Sequence, residues 1–140
     1  MMVMSHQYLL SEEIPEIEQY TKTSGKKLPL LRDVDVSYYL RQEKNGFNLG
    51  PYEPNCKAHW ATEDDPMPDD FSFQLWNDDL DRIEDIVSDA MERVPLLGTS
   101  GVSRVINGPI PYAPDGLPLI GPMPGVETVS YTHLRAHETG

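Results

Sequence analysis

An α+β fold, mostly antiparallel sheet with one long amphipathic helix, is predicted by three observations. Several short segments alternate in polarity or are rich in aromatic residues, and turn residues separate them. An Asn-Gly pair joins two of these segments, and apolar side chains recur at helical spacing in only one stretch, Asn77 to Val94. The 13 prolines and 10 glycines leave room for few long elements, so the fold is loop-rich. At 140 residues the chain suits one domain with its own core.

In chain order, His6 to Ser11 puts His6, Tyr8 and Leu10 on one face and Gln7, Leu9 and Ser11 on the other, the period of a half-buried strand. Glu12 to Lys27 reads as a polar connection, because Pro15, Ser24 and Gly25 argue against a stable helix. Leu28 to Leu31 and Asp33 to Val36 follow, and then an aromatic-rich strand, Ser37 to Glu43. Lys44-Asn45-Gly46 turns the chain into Phe47 to Tyr52, which predicts an antiparallel hairpin. Residues 53 to 76 form an acidic excursion that charge solvates and Trp60, Phe71, Phe73 and Trp76 pin. The helix then starts at Asn77 as N-cap, with Asp78, Asp79 and Asp81 at its positive pole. Leu80, Ile83, Val87, Ala90, Met91 and Val94 make its stripe, read as core filling, and Pro95 stops it. Val102 to Ile106 alternates as a last strand.

That strand leads into Asn107 to Pro122, where prolines interleave with Ile110, Leu117, Leu119 and Ile120 around Pro114-Asp115-Gly116. Proline fixes φ and glycine accepts φ above zero, so such a segment loses little entropy on docking. It serves either as an apolar surface loop or as a ligand-facing wall.

Formal net charge is −12, with 23 acidic against 11 basic side chains, which disfavours nucleic acid and anionic membrane as partners. The single cysteine, Cys56, cannot form an internal disulfide, and no base is placed beside it to make it a nucleophile. Met1-Met2-Val3-Met4 falls short of a signal peptide, and no run is long enough for a membrane span. Gly98-Thr99-Ser100-Gly101 lies between a helix and a strand, the wrong order for a phosphate cradle. His133 and His137 share helical spacing with Glu138 beside them, but Leu134 stands where a zinc hydrolase places its glutamate, so no metal site is expected.

Several runs are distinctive in order and spacing: His6-Gln7-Tyr8, Leu28-Pro29-Leu30-Leu31-Arg32-Asp33, Ser37-Tyr38-Tyr39-Leu40-Arg41-Gln42-Glu43, Leu49-Gly50-Pro51-Tyr52-Glu53, Asp79-Leu80-Asp81-Arg82-Ile83, Arg93-Val94-Pro95, and Ile106 through Pro122. On these the chain resembles the dimethylglycine and sarcosine dehydrogenase family, FAD-dependent flavoproteins of the amino-acid-oxidase-like superfamily. The resemblance implies that residues 1–126 are a partial substrate domain ending in the loop that returns to the flavin, truncated at both ends. The glycine-rich unit that binds the ADP half of FAD is absent from the sequence. Residues 127–140 match nothing in the family and are expected to be a non-native or disordered tail.

The implied chemistry is oxidation of an N-methyl group of a glycine derivative, dimethylglycine or sarcosine. FAD is the cofactor of the full-length protein and is not expected to bind this piece, which is inactive alone; tetrahydrofolate can capture the product in the full-length protein. The expected partners are a small methylated amine and the missing FAD domain of the same chain. The location is cytoplasmic if bacterial and the mitochondrial matrix if eukaryotic. The resemblance assigns catalytic roles to His6 and to a tyrosine of the Tyr38-Tyr39 pair. Neighbours in a strand face opposite ways, and Tyr39 is taken as the catalytic one, with Tyr38 a substrate-binding candidate. By residue type alone His6 reads first as a hydrogen-bonded strand histidine. Arg41 shares the face of Tyr39 and either binds the substrate carboxylate or pairs with Glu43 or Asp33. Tyr112, Pro114, Asp115 and Gly116 approach the flavin. His6, Tyr39 and the Pro-Asp-Gly loop are thus expected to wall one amine pocket. A non-catalytic regulatory paralogue, such as a pyruvate dehydrogenase phosphatase regulatory subunit, is the alternative.

Overall fold

A computed structural model of the chain describes residues 2–113, 119–122 and 130–133. The chain divides into two compact units, Met1–His6 with Cys56–Gln74 and Gly108–Gly140, and Gln7–Asn55 with Leu75–Asn107. The fold is α+β and its sheets are built from antiparallel pairs.

In the larger unit, strands β2 (Leu31–Asp33), β3 (Tyr38–Glu43) and β4 (Gly46–Pro51) pair in sequence, and β4 pairs in turn with the end of β1 (Met2–Ser11). Alternation in β3 sends Tyr38, Leu40 and Gln42 to one face, where all are buried. That face meets helices α1 (Pro15–Ser24) and α2 (Glu84–Arg93) in a core of Leu9, Ile14, Ile17, Tyr38, Leu40, Phe47, Leu49, Ile83, Ala90 and Leu97. Gln42 joins the hairpin to α1: its amide donates to Thr21 Oγ1 and the Lys44 carbonyl and accepts from the Leu28 N–H.

In the smaller unit, β5 (Ala58–His59) pairs with the start of β1 through Val3↔His59 and Met4↔Ala58. The Trp60 and Phe71 rings meet edge to face, 4.7 Å between centroids. Strands β7 (Leu119–Pro122) and β8 (Ser130–His133) form a separate two-stranded sheet, so part of the stretch read as a tail is paired strand. Strand β6 (Val102–Tyr112) pairs with β1.

Four expectations are corrected. Glu12 to Lys27 contains a helix, because Pro15 sits at its first turn, where a missing N–H costs nothing, and Gly25 closes it at φ 67°. The long helix predicted from Asn77 to Val94 is instead the ten-residue α2, so the described residues carry two short helices, α1 and α2. Asn77 is not the cap of α2: its carbonyl accepts from Asn107 Nδ2 at 2.7 Å, a 3-10 turn occupies Leu80–Arg82, and the helix begins at Glu84. The hairpin forms as expected, but its turn is Lys44-Asn45 with Lys44 at φ 52° and Glu43 paired to Gly46. Gly46 is needed for proximity, since a Cβ there would stand 2.7 Å from the Glu12 carbonyl and from Ser11 Oγ. The strand predicted over Val102 to Ile106 runs on to Tyr112 and absorbs the first part of the proline-rich segment.

Candidate functional site

The second face of the larger unit's sheet carries Tyr39 and Arg41. Register fixes two rows across it. Arg32 of β2 pairs with Tyr39 of β3, and Tyr39 with Gly50 of β4. The β1–β4 pairs, Leu9↔Leu49 and Leu10↔Asn48, continue to place Tyr8 opposite Gly50. In the next row Arg41 pairs with Asn48, and Asn48 with Leu10. Tyr39 lies over Gly50: any Cβ on Gly50 would overlap the tyrosine ring. Tyr52 meets the Tyr39 ring edge-on at 6.0 Å between centroids, and the Arg32 guanidinium sits 5.2 Å from the centre of the Tyr52 ring. Tyrosine and arginine are thus concentrated on one face of an otherwise acidic chain.

Burial raises the Tyr39 phenol above its ordinary value; Arg41 opposes the shift and Tyr52 and Tyr8 add to it. The hydroxyl therefore stays protonated at neutral pH. Arg41 pairs with Glu43 at 3.5 Å, with both side chains about half exposed. The other acid considered for it, Asp33, is held by Arg93 at 2.9 Å. Tyr38 is on the opposite face, fully buried in the core, where burial chiefly and Asp33 next raise its pKa against Arg93. Its hydroxyl has no hydrogen-bond partner among the described residues. His6 is buried and belongs to the smaller unit, whereas Tyr38, Tyr39 and Arg41 belong to the larger. Tyr112 ends β6 and is partly buried. Pro114, Asp115 and Gly116 lie outside the described residues. The pocket expected from His6, Tyr39 and that loop is accordingly described only through its Tyr39 side.

Sequence reading missed a buried polar cluster behind the sheet. Glu53 accepts the Gln7 N–H at 3.1 Å and pairs with Arg82 Nε at 2.7 Å. The Gln7 amide donates to the Asp79 carbonyl and accepts the Asp79 N–H at 3.1 Å, and Arg82 also reaches Asp79 at 3.8 Å. Three of the distinctive runs, His6-Gln7-Tyr8, Leu49 to Glu53 and Asp79 to Ile83, converge here. Their spacing was visible in the sequence; their meeting was not. Asn48 was missed as well: it is buried, and its Oδ1 has no hydrogen-bond partner among the described residues.

Among the described residues no grouping of His, Cys, Asp and Glu is suited to hold a metal, and no helix is long and apolar enough to cross a membrane.

The larger unit thus carries helices on one face of an antiparallel sheet and a tyrosine–arginine surface on the other. The chain belongs to the FAD-dependent oxidoreductase family, whose pattern it matches over residues 1–139. It is 44% identical over 127 residues to dimethylglycine dehydrogenase of Mus musculus and 42% to that of Homo sapiens, covering 88% of the chain and 14% of each relative. It is 32% identical over 124 residues to sarcosine dehydrogenase of Mus musculus, covering 89% of the chain and 12% of that relative. The chain therefore spans about one-seventh of the length of the dimethylglycine dehydrogenases it matches.

Proposed function

We propose that the chain is the substrate-domain part of an FAD-dependent dehydrogenase that oxidises an N-methyl group of a glycine derivative, dimethylglycine before sarcosine. The Tyr39–Arg41 face carries this reading: a protonated phenol and a guanidinium two residues apart suit a small amino acid, the guanidinium by pairing with its carboxylate. The difference in identity, 44% to dimethylglycine dehydrogenase against 32% to sarcosine dehydrogenase, supports the order of substrates. The regulatory alternative is weaker, because the pyruvate dehydrogenase phosphatase regulatory subunit of Mus musculus is 26% identical over 99 residues.

In this reading FAD is held by polypeptide outside these 140 residues and supplies the hydride acceptor when bound. Tyr39 and Arg41 orient the substrate, and His6, by resemblance, takes the amine proton so that the lone pair is free. Tyr112 and the Pro-Asp-Gly loop approach the flavin, and tetrahydrofolate captures the one-carbon product in the complete protein. The dimethylglycine and sarcosine dehydrogenases it resembles carry the description mitochondrial, which favours the matrix for a eukaryotic source.

A chimera tests the reading, with the matching region of the mouse dimethylglycine dehydrogenase replaced by this chain. Flavin-loaded chimera that oxidises dimethylglycine, and loses most of that rate on Tyr39→Phe, supports it. A folded, flavin-loaded chimera that oxidises neither dimethylglycine nor sarcosine overturns it. The isolated chain is expected to bind no stoichiometric FAD.

A further inference from the structure

We propose that the Asn48 carboxamide is a specificity determinant of the Tyr39–Arg41 face, accepting a hydrogen bond from the ammonium of a small N-methylated α-amino acid as it arrives, before that proton is given up for oxidation, with the carboxylate on Arg41. The inference rests on the N-methylglycine reading above. Its starting point is an uncompensated cost. Asn48 is 3% exposed in the middle of a sheet, yet its Oδ1 meets no donor among the described residues. A buried acceptor left unmade costs the fold, and leucine, of nearly the same shape, would avoid that cost. An acceptor retained in such a place is suited to a donor that arrives from outside the chain.

The neighbours say which donor. Asn48 and Arg41 are direct cross-strand partners on one face, so their Cβ atoms stand about 5 Å apart. An acceptor beside a cation is the complement of a zwitterion, in which ammonium and carboxylate are separated by one carbon. That is the form in which an α-amino acid arrives at neutral pH. The next row presents the rings of Tyr39 and Tyr8, whose faces favour the cationic, methyl-bearing nitrogen over a neutral isostere. Arg41 serves any carboxylate; Asn48 selects the amine.

The test uses the flavin-loaded chimera described above and two probes, dimethylglycine, read by its KM, and its carbon isostere isovalerate, read as a competitive inhibitor. Asn48→Leu is expected to weaken dimethylglycine about tenfold or more, the worth of a hydrogen bond to a charged group, and to leave isovalerate unchanged or tighter. The same variant is expected to melt a few degrees higher, because the buried unpaired amide is gone. Arg41→Met is expected to weaken both probes. If the original chimera binds dimethylglycine and Asn48→Leu weakens both probes equally, or neither, the role of Asn48 is wrong and the N-methylglycine reading stands. If the folded, flavin-loaded chimera binds neither probe, both fall. Should Asn48→Leu fail to fold, Asn48→Thr, which suits a strand and cannot place a carboxamide, is read by the same two ratios.

Discussion

At the scale of single residues, Gly50 and Glu53 show how local chemistry is set by neighbours distant in sequence. Gly50 is the floor on which Tyr39 lies, and even one methyl group there displaces the ring. Gly50→Ala is therefore expected to cost about 1–3 kcal/mol, the usual range for overpacking, measured by urea denaturation. Most of that loss should vanish in a Tyr39→Ala background; an undiminished loss would place the conflict in the backbone. For Glu53, burial pushes the carboxyl above its ordinary value, while Arg82 and the Gln7 N–H oppose the shift. With the folded pKa above the unfolded one, the contribution of Glu53 is whole below the unfolded value and is lost as pH rises through the folded value. The stability of the original chain minus that of Glu53→Gln should thus fall between acid and neutral pH. A difference that rises instead would show that the Arg82 pairing outweighs burial. Neither residue was readable in the sequence as more than a strand glycine and an acidic side chain, because burial and cross-strand neighbours belong to the fold.

At the scale of elements, β1, β3 and β4 were legible because period-two alternation and the Lys44-Asn45-Gly46 signal are local. Alternation also separated Tyr38 from Tyr39 by face, although not which face the helices would cover. The helices were read less well. In α1 the apolar stripe is narrow and Ile17 is its one buried residue, so propensity gave little warning of a helix. Its stability comes from tertiary anchoring by Ile17 and by the Thr21–Gln42 bond. Ile17→Ala is accordingly expected to cost about 2–5 kcal/mol and to speed amide exchange in α1 more than in α2. Equal acceleration in both helices would mean that α1 draws its order from its own sequence. The start of α2 was misplaced for a related reason: Gln7 and Asn107 engage the backbone of Asp79 and Asn77, and those long-range bonds redirect residues that looked like a cap.

At the scale of the whole molecule, the apolar core among the residues whose burial is described is unevenly distributed between the two units, and this predicts how the chain unfolds. Every residue of the main cluster, from Leu9 to Leu97, falls within Gln7–Asn55 and Leu75–Asn107. Among the residues of the other unit whose burial is described, Ala113 is the one buried hydrophobic residue. Composition announced a loop-rich acidic chain but not this division, since alternation in one strand gives no sign that its two ends enter different units. Removing apolar surface from water is the dominant force holding each unit together, so the smaller one should open at lower denaturant. The two tryptophans report separately, Trp60 from the smaller unit and Trp76 from the larger. In Trp76→Phe, urea-induced fluorescence change should have its midpoint below that found in Trp60→Phe, and circular dichroism should follow the latter. Coincident midpoints in the two variants would mean that the chain unfolds as one cooperative body and that the core in the larger unit stabilises the acidic excursion as firmly as its own strands.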